Sequence, residues 1–400
     1  NEKFWQPIKP VISNLKIRGS WGLVGNDATN AGRFAYMEDL VLGGSDSYTT
    51  GIRQDTYYSG PSWNRYFNPD LTWEVGEKIN LGLDLQLFND FNLTFDIFRE
   101  KRRDIFMTRE NSIPEIVGTG ETKITSNNGE MENKGLDLAI DYNKQITKDF
   151  FLSFKSTLTF ARNKVLKMDE PPYFEYPGLS DVGHPLGTYW GYVADGLFPD
   201  QETIDNSPRQ DLGYTPQPGD IKYVNQPNAK GEYDNVINSN DRVAIGHPYD
   251  PELVYGFGPS MKWKNWDFSF FFQGVARTSF MMYGMHPFGT TSIKNMLQFV
   301  ADDHWSVDNP NPNAAYPRLT KDSNGNNDQY STYWLRNAAF LKLKNAEIGY
   351  TYKGMRFYLS GVNLLTFSPF KHWDPEMGGG NGLYYPTQRV FNIGFQMTIQ

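Results

Sequence analysis

The sequence predicts an all-β protein, an antiparallel transmembrane β-barrel segment of about ten strands with long loops at one end and short turns at the other. Three observations predict it. Between Glu77 and Phe106 an alternating pattern is written twice: Ile79, Leu81, Leu83, Leu85 and Leu87 occupy every second position, with Asn80, Gly82, Asp84 and Gln86 between them. Asn89-Asp90 turns the chain, and Phe91, Leu93, Phe95 and Ile97 then alternate with Asn92, Thr94 and Asp96. Side chains on a strand point to opposite faces in turn, so each strand has one apolar face and one polar face. The same signature returns at every later hairpin, with aromatics near the strand ends, as in membrane barrels. Finally, short turns near residues 89, 146, 264 and 353 alternate with long loops near 50, 120, 210, 308 and 375. A propeller or sandwich has no reason to keep all its long loops at one end. Outer-membrane barrels do, with the short turns in the periplasm and the long loops outside.

Taken in order, Leu15, Ile17 and Gly19 against Lys16, Arg18 and Ser20 mark a first strand to about Gly22. A polar excursion over 25–75 follows, far longer than an ordinary loop of about 4–6 residues. The organising hairpin ends in the basic run Arg99 to Arg103, and a second excursion covers 107–131. Leu136, Leu138, Ile140 and Tyr142 then pair across a turn at 144–149 with Phe150, Leu152, Phe154, Leu158 and Phe160. The excursion 164–252 is rich in proline and glycine, has a strand-like piece at 188–198, and is expected to pack as a small cap. Leu253 to Trp263 returns through Trp266, Phe268, Phe270 and Phe272. Within the excursion 278–338, Ile293, Met296, Leu297 and Val300 have helical spacing behind Thr291-Ser292, which predicts a short helix ending near Trp305. A hairpin around Lys353-Gly354, the excursion 364–386, and a last strand with Phe391, Ile393, Phe395, Met397 and Ile399 on one face complete the chain. Trp263, Trp266, Tyr350 and Tyr352 flank short turns, as an interfacial aromatic girdle would.

Composition sets the outer limits. The 400 residues are 39% hydrophobic and 16% aromatic, with a net charge of -8, which argues against nucleic acid as a partner. Mean hydropathy is -0.58. No apolar run reaches the roughly 18 residues of a transmembrane helix, which leaves a barrel untouched because its strands need only about 9–11. With no cysteine there is no disulfide framework, thiolate metal site or cysteine nucleophile. Asn1 is not an initiator Met and no signal segment follows it, so the chain is expected to be a mature or internal piece of something longer.

No enzymatic motif is present: there is no His-Glu-x-x-His, Gly-x-Ser-x-Gly or phosphate loop, so catalysis and cofactors are not expected. His184, His247, His286, His304 and His372 lack ligand spacing, and no metal site is expected. The pairs Asp302-Asp303 and Asp169-Glu170 read as solvated loop charge. Gly256-Phe257-Gly258 lacks the third glycine of a dinucleotide loop, and the sequon Asn92-Leu93-Thr94 falls within a strand.

An ordered set of motifs spans nearly the whole chain: Asn68-Pro69-Asp70-Leu71-Thr72-Trp73-Glu74, Met131-Glu132-Asn133-Lys134-Gly135, Phe160-Ala161-Arg162-Asn163-Lys164, Gly191-Tyr192-Val193-Ala194-Asp195-Gly196, Pro218-Gly219-Asp220-Ile221-Lys222-Tyr223, Asn240-Asp241-Arg242, Asn311-Pro312-Asn313-Ala314, Tyr316-Pro317-Arg318 and Leu359-Ser360-Gly361-Val362-Asn363-Leu364. Together these resemble the C-terminal part of SusC/RagA-type TonB-dependent outer-membrane transporters. The resemblance implies a 22-stranded barrel, of which this chain supplies about ten strands, with the plug domain and earlier strands absent. It also implies a SusD-like surface lipoprotein as a lid over the extracellular loops, contact with the TonB complex through the absent N-terminal region, an integral outer-membrane location with a periplasmic C-terminus, and no enzymatic activity. Two departures stand out. The run from Asn225 to Asn238 has lost most of the oxygen-rich spacing of the calcium-like loop that family members often carry near Asp241, and the chain ends in Gln400 where an aromatic is common.

The expected function is energy-coupled import of an oligomeric nutrient, oligosaccharide rather than peptide, across the outer membrane. Candidate substrate-binding residues are the loop aromatics Tyr189, Trp190, Trp305, Trp334, Trp373, Tyr384 and Tyr385, whose flat rings suit sugar stacking or peptide packing. The alternative is a secreted or surface glycan-binding, adhesive β protein without transport. On the barrel reading, Leu81, Leu83, Leu85, Leu93, Phe95, Phe391, Phe395 and Ile399 face lipid, and Asn80, Asp84, Gln86, Asn392 and Gln396 face the lumen. Ten strands leave two edges, so an open, curved sheet is expected in place of a closed barrel.

Overall fold

The computed structural model describes residues 5–397, apart from 29–32, 44–46, 110, 112, 114–115, 117–123, 285–295 and 321–322. Ten long strands carry the fold: β1 (Ile12–Asn26), β2 (Glu74–Leu87), β3 (Phe91–Thr108), β4 (Thr125–Thr147), β5 (Phe150–Lys167), β6 (Leu253–Trp263), β7 (Trp266–Ala276), β8 (Phe340–Tyr352), β9 (Met355–Phe367) and β10 (Val390–Met397). They form one antiparallel sheet in chain order. The register follows from the alternation, because apolar positions meet across every ladder. Leu83 faces Ile17 on β1 and Phe95 on β3, and Phe95 faces Leu138 on β4. The tight turns use residues with positive φ, Phe88 and Asn89 in one hairpin and Lys353-Gly354 in another, matching the right-handed twist of the strands they join.

The burial of the two faces is the reverse of a sheet folded for water. Ile17, Leu81 and Ile393 are 79%, 54% and 88% exposed. On the opposite face the Asp96 side chain is only 15% exposed. Arg18 lies between two carboxylates there, its Nε donating to Asp84 at 3.0 Å and its Nη1 to Asp96 at 3.0 Å. Gly82 makes this possible: it sits opposite both Arg18 and Asp96, and a Cβ at Gly82 would fall 2.5 Å from Asp96 Oδ1 and 2.6 Å from Arg18 Cζ. Across the sheet, Arg356 is held in the same way by Asp267 and Glu347. The facing set read from the sequence falls on two opposite faces accordingly, with Ile399 outside the described residues.

Among the described residues β1 pairs only with β2 and β10 only with β9, so the sheet is open between the two. Strand ends differ from those read off the alternation. β1 continues to Asn26, paired with Glu74, and the excursion 107–131 shrinks because β3 runs to Thr108 and β4 starts at Thr125. The turn read at 144–149 tightens likewise, since β4 reaches Thr147 and β5 starts at Phe150. In each case backbone pairing outlasts the apolar pattern, since the ladder needs N–H and C=O groups and no particular side chain. The helix also differs. It spans only Gln298–Asp302; Leu297 is an extended N-cap residue without a side-chain hydrogen bond, Met296 precedes it, and Thr291, Ser292 and Ile293 lie outside the described residues.

At the long-loop end a second core forms. Tyr192, Leu197, Ile221, Tyr223, Ile237 and Ile245 from the excursion after β5 pack with Phe280, Met281, Met282, Val300, Trp305, Tyr316 and Trp334 from the excursion after β7, and with Phe370 after β9. The expected cap therefore exists, built from three excursions and not from one.

Candidate binding site in the loop cap

The cap is organised by Asp220, whose side chain is wholly buried. Its carboxylate is 2.7 Å from Arg318 Nε and accepts from Asn324 Nδ2 at 3.0 Å, Asn327 Nδ2 at 2.8 Å and the Gln217 backbone N–H at 2.8 Å. A buried charge is tolerated when it is paired and its lone pairs are filled, and both conditions hold here. Burial works against the Arg318 charge, but Asp220 beside it and the Tyr214 hydroxyl outweigh that and raise its pKa. Gly219, at φ 88°, lets Trp305 lie directly on the backbone; a Cβ there would stand 2.2 Å from the indole. Asn326 and Gln210 extend the network to the Ile221 carbonyl, so two excursions about a hundred residues apart are joined through amides.

Beside this network lies a cavity of about 210 Å³ bounded by Met282, Tyr283, Val300, Tyr316, Arg318 and Trp334, with Asn324 and Asn327 at its polar side. At roughly 30 Å³ per water it has room for one small ring. A larger groove of about 520 Å³ runs over the inner sheet face, with Glu74, Glu100, Arg102, Asn133 and Asn163 on one side and Ile105, Met131 and the segment around Leu186 and Pro251 adding apolar lining.

The seven sequence-predicted aromatics divide by exposure. Tyr384 is 56% exposed and Tyr385 80% exposed. The Tyr384 hydroxyl is hydrogen-bonded to that of Tyr283, which raises the Tyr283 pKa and joins Tyr384 to the cavity rim. Trp334 is buried, donates its indole N–H to the Asn327 carbonyl at 2.6 Å, and forms a cavity wall. Trp305 is buried in the cap core against Gly219. Trp373 stands against Phe370 at 4.5 Å and donates to the Gly378 carbonyl at 2.9 Å. Tyr189 and Trp190 are half-buried; Tyr189 meets Tyr249 and packs against the cap core, and Trp190 donates to Asp181. The structure thus places Trp334 in the cavity wall and joins Tyr384 to the rim through Tyr283, while Tyr189 and Trp190 do not line it. Arg318, Asn324 and Asn327 were not picked out for the site, although the amide-dense run Asn324-Gly325-Asn326-Asn327 was a visible signal.

Other sequence features have structural roles. Asp169 is buried and accepts from the Asn111 N–H at 2.9 Å, and Glu170 accepts from the Asp181 N–H at 3.0 Å, so this pair anchors loops and is not solvated charge. Asp302 accepts from Gln298 one helical turn back. Asp241 is buried and accepts the Gln226 and Asn238 backbone N–H groups, and burial raises its pKa. His372 stacks on Phe299 at 4.1 Å, and burial together with Arg336 pushes its pKa below the usual range.

A family model described as TonB dependent receptor-like, beta-barrel, matches residues 14–364. TonB-dependent receptor P26 of Formosa agariphila is 27% identical over 434 aligned residues, which cover 100% of this chain and 41% of that protein. TonB-dependent receptor SusC of Bacteroides thetaiotaomicron is 28% identical over 423, covering 99% and 38%. The RagAB peptide importer in its open-open state superposes with a TM-score of 0.72 at 20% identity, covering 98% of this chain and 40% of that one, a likeness of fold. The chain spans about two-fifths of the length of the curated relatives it matches.

Proposed function

The chain belongs to the TonB-dependent receptor-like β-barrel family, and from that premise we propose that it is the C-terminal part of an outer-membrane barrel that imports an oligomeric nutrient. One observation carries the proposal: an open ten-stranded antiparallel sheet with an exposed apolar face, its short turns at one end and its long excursions at the other. Strands outside this chain would pair with β1 and β10, since an unpaired edge in hydrocarbon leaves backbone groups that cost several kcal/mol each. On this reading the short turns and the C-terminus are periplasmic, the five excursions are extracellular, a SusD-like lipoprotein covers them, and TonB acts through a region outside this chain.

We assign the substrate class as oligosaccharide. Tyr384 and Tyr385 offer exposed rings, Trp334 and the amides of Asn324 and Asn327 meet at one cavity, and flat rings beside amides suit a sugar's apolar face and hydroxyls. Trp373, Tyr189 and Trp305 belong to the cap core that carries this surface, and Trp190 does not line the cavity. A peptide is the second reading, favoured by the RagAB fold likeness and by the same rings. Binding of fluorescent oligosaccharides and oligopeptides to the complete protein with its lipoprotein separates the two. Saturable glycan binding that weakens about tenfold in Tyr384→Ala, as loss of one stacking ring implies, supports import of glycan. Peptide binding alone would replace the substrate class. Complete extraction from cells without detergent would overturn the membrane reading in favour of a secreted adhesive β protein.

A further inference from the structure

Within the basic run at the end of β3, Arg102 belongs to the inner face, but Arg99, Lys101 and Arg103 serve neither the cap nor that face. Ile97, Arg99, Lys101 and Arg103 share one parity, so these cations continue the outer apolar row of β3 toward the long loops. The neighbouring strands do the same at the same level: Arg99 faces Lys134 on β4, and Lys134 faces Arg162 on β5. One row farther, Glu132 faces Lys164, and beyond it Glu130 faces Lys167. Their side chains are open, with Arg99 55%, Lys134 66% and Arg162 51% exposed.

Nearby carboxylates neutralise only part of this charge. Glu132 takes Arg99 at 2.6 Å and also Lys134 at 3.6 Å, and Glu130 takes Lys101 at 2.9 Å. Glu252 is shared by Arg162 and Arg277, Asp104 lies 3.7 Å from Arg103, and Glu77 accepts from Trp21. Cations outnumber carboxylates, in a chain whose net charge is -8. On the inner face at the same level, by contrast, Lys78 and Arg102 are both met by Glu100, and Arg102 also by Glu74.

Height along the strand identifies the partner. The outer apolar run on β3 lasts from Phe91 to Ile97, shorter than the roughly 9–11 residues that cross a bilayer. The first cations therefore meet the membrane near the boundary between hydrocarbon and headgroup, where long basic side chains keep their stems in the apolar layer and their charges at the polar surface. We propose that this patch binds phosphate-bearing lipid headgroups of the membrane leaflet on the long-loop side. The proposal rests on the outer-membrane reading above and adds a specific lipid partner to it. Clustered Lys and Arg recognise anionic headgroups through charge, and the patch supplies both the charge and an adjoining apolar surface.

The test uses the complete protein in nanodiscs of zwitterionic phospholipid doped with a phosphorylated glycolipid, with bound lipid counted by native mass spectrometry. Wild type should enrich the glycolipid, and the triple variant Arg99→Gln/Lys134→Gln/Arg162→Gln should lose roughly a hundredfold of that preference. The Arg99→Lys/Arg162→Lys variant should keep it, and the inner-face Lys78→Gln should not change it. Inorganic phosphate in solution should not displace the lipid; displacement would show a free-anion site and overturn the headgroup assignment. Equal enrichment in wild type and the triple variant would refute the patch. Heat-modifiable migration reports insertion separately, so wild type that inserts without lipid preference sinks this proposal alone, and wild type that never inserts sinks the membrane reading. Should the triple variant not assemble, Arg99→Gln alone and the salt dependence of wild-type enrichment decide.

Discussion

Phe95 and Thr94 are neighbours on β3 at the same depth but on opposite faces, and replacing each with arginine tests the assignment of lipid and lumen directly. Phe95 stands in the outer row between Leu83 and Leu138, whereas Thr94 faces Asp84 and Ala139 on the inner side. Phe95 is four residues along the strand from Phe91, roughly 13 Å, and at a strand tilt of about 40° this places it about 10 Å above the short-turn rim. That is close to the middle of an apolar band about 25 Å tall, where an arginine on the lipid side costs about 2–4 kcal/mol. The corresponding loss in the folding equilibrium is roughly thirty-fold to nearly a thousand-fold. At Thr94 the new cation would stand beside Asp84, in a cluster where Arg18 is met by two aspartates. Thr94→Arg should therefore stay within about 1 kcal/mol of wild type. Urea titration of the complete protein folding into phospholipid vesicles, followed by heat-modifiable migration, measures both. Equal stability of the two variants, or greater damage from Thr94→Arg, would refute the outward orientation of the apolar rows.

The remaining predictions concern the inner face and the cap. Gly82→Val should lower the urea midpoint by the equivalent of about 1–3 kcal/mol, because its Cβ must displace Arg18 or Asp96; an unchanged midpoint would show that the Arg18 cluster does not need the gap. Asp220→Ala should destabilise the cap by about 3–5 kcal/mol by stranding Arg318 and two asparagines, visible as faster hydrogen exchange over 198–223 and 314–334 with the strands unaffected. Around Asp374, burial penalises the carboxylate, but hydrogen bonds from Lys342 and Thr387 outweigh it and hold the pKa below the usual range. A depressed folded-state pKa means that the stabilisation is present above the unfolded value, near 3.9, and is lost as pH falls through the folded value. Protection over 370–389, taken relative to the intrinsic exchange rate at each pH, should accordingly hold from neutral pH to about pH 4 and fall below it. Asp374→Asn should abolish that acid step, and persistence of the step in this variant would assign it elsewhere.

By itself the sequence determined the sheet. A side-chain period of two fixes which residues share a face, and pairing Leu83 with Ile17 and Phe95 leaves no freedom to slip by one residue without turning every apolar side chain inward. The ten strands and the short turns were legible for that reason, whereas the strand ends were not, because Thr125–Glu130 pairs without an apolar pattern to mark it. The cap was decided only in three dimensions. No local periodicity links Asp220 to Arg318, Asn324 and Asn327; their association comes from burying one carboxylate that several donors from a distant excursion must satisfy at once. The same holds for the aromatics. Sequence marks Trp305, Trp334, Tyr384 and Tyr385 alike as loop rings, and only packing decides that Trp305 fills the space over Gly219, that Trp334 becomes a cavity wall, and that Tyr384 and Tyr385 stay in solvent, since burial depends on which excursions meet and not on residue type.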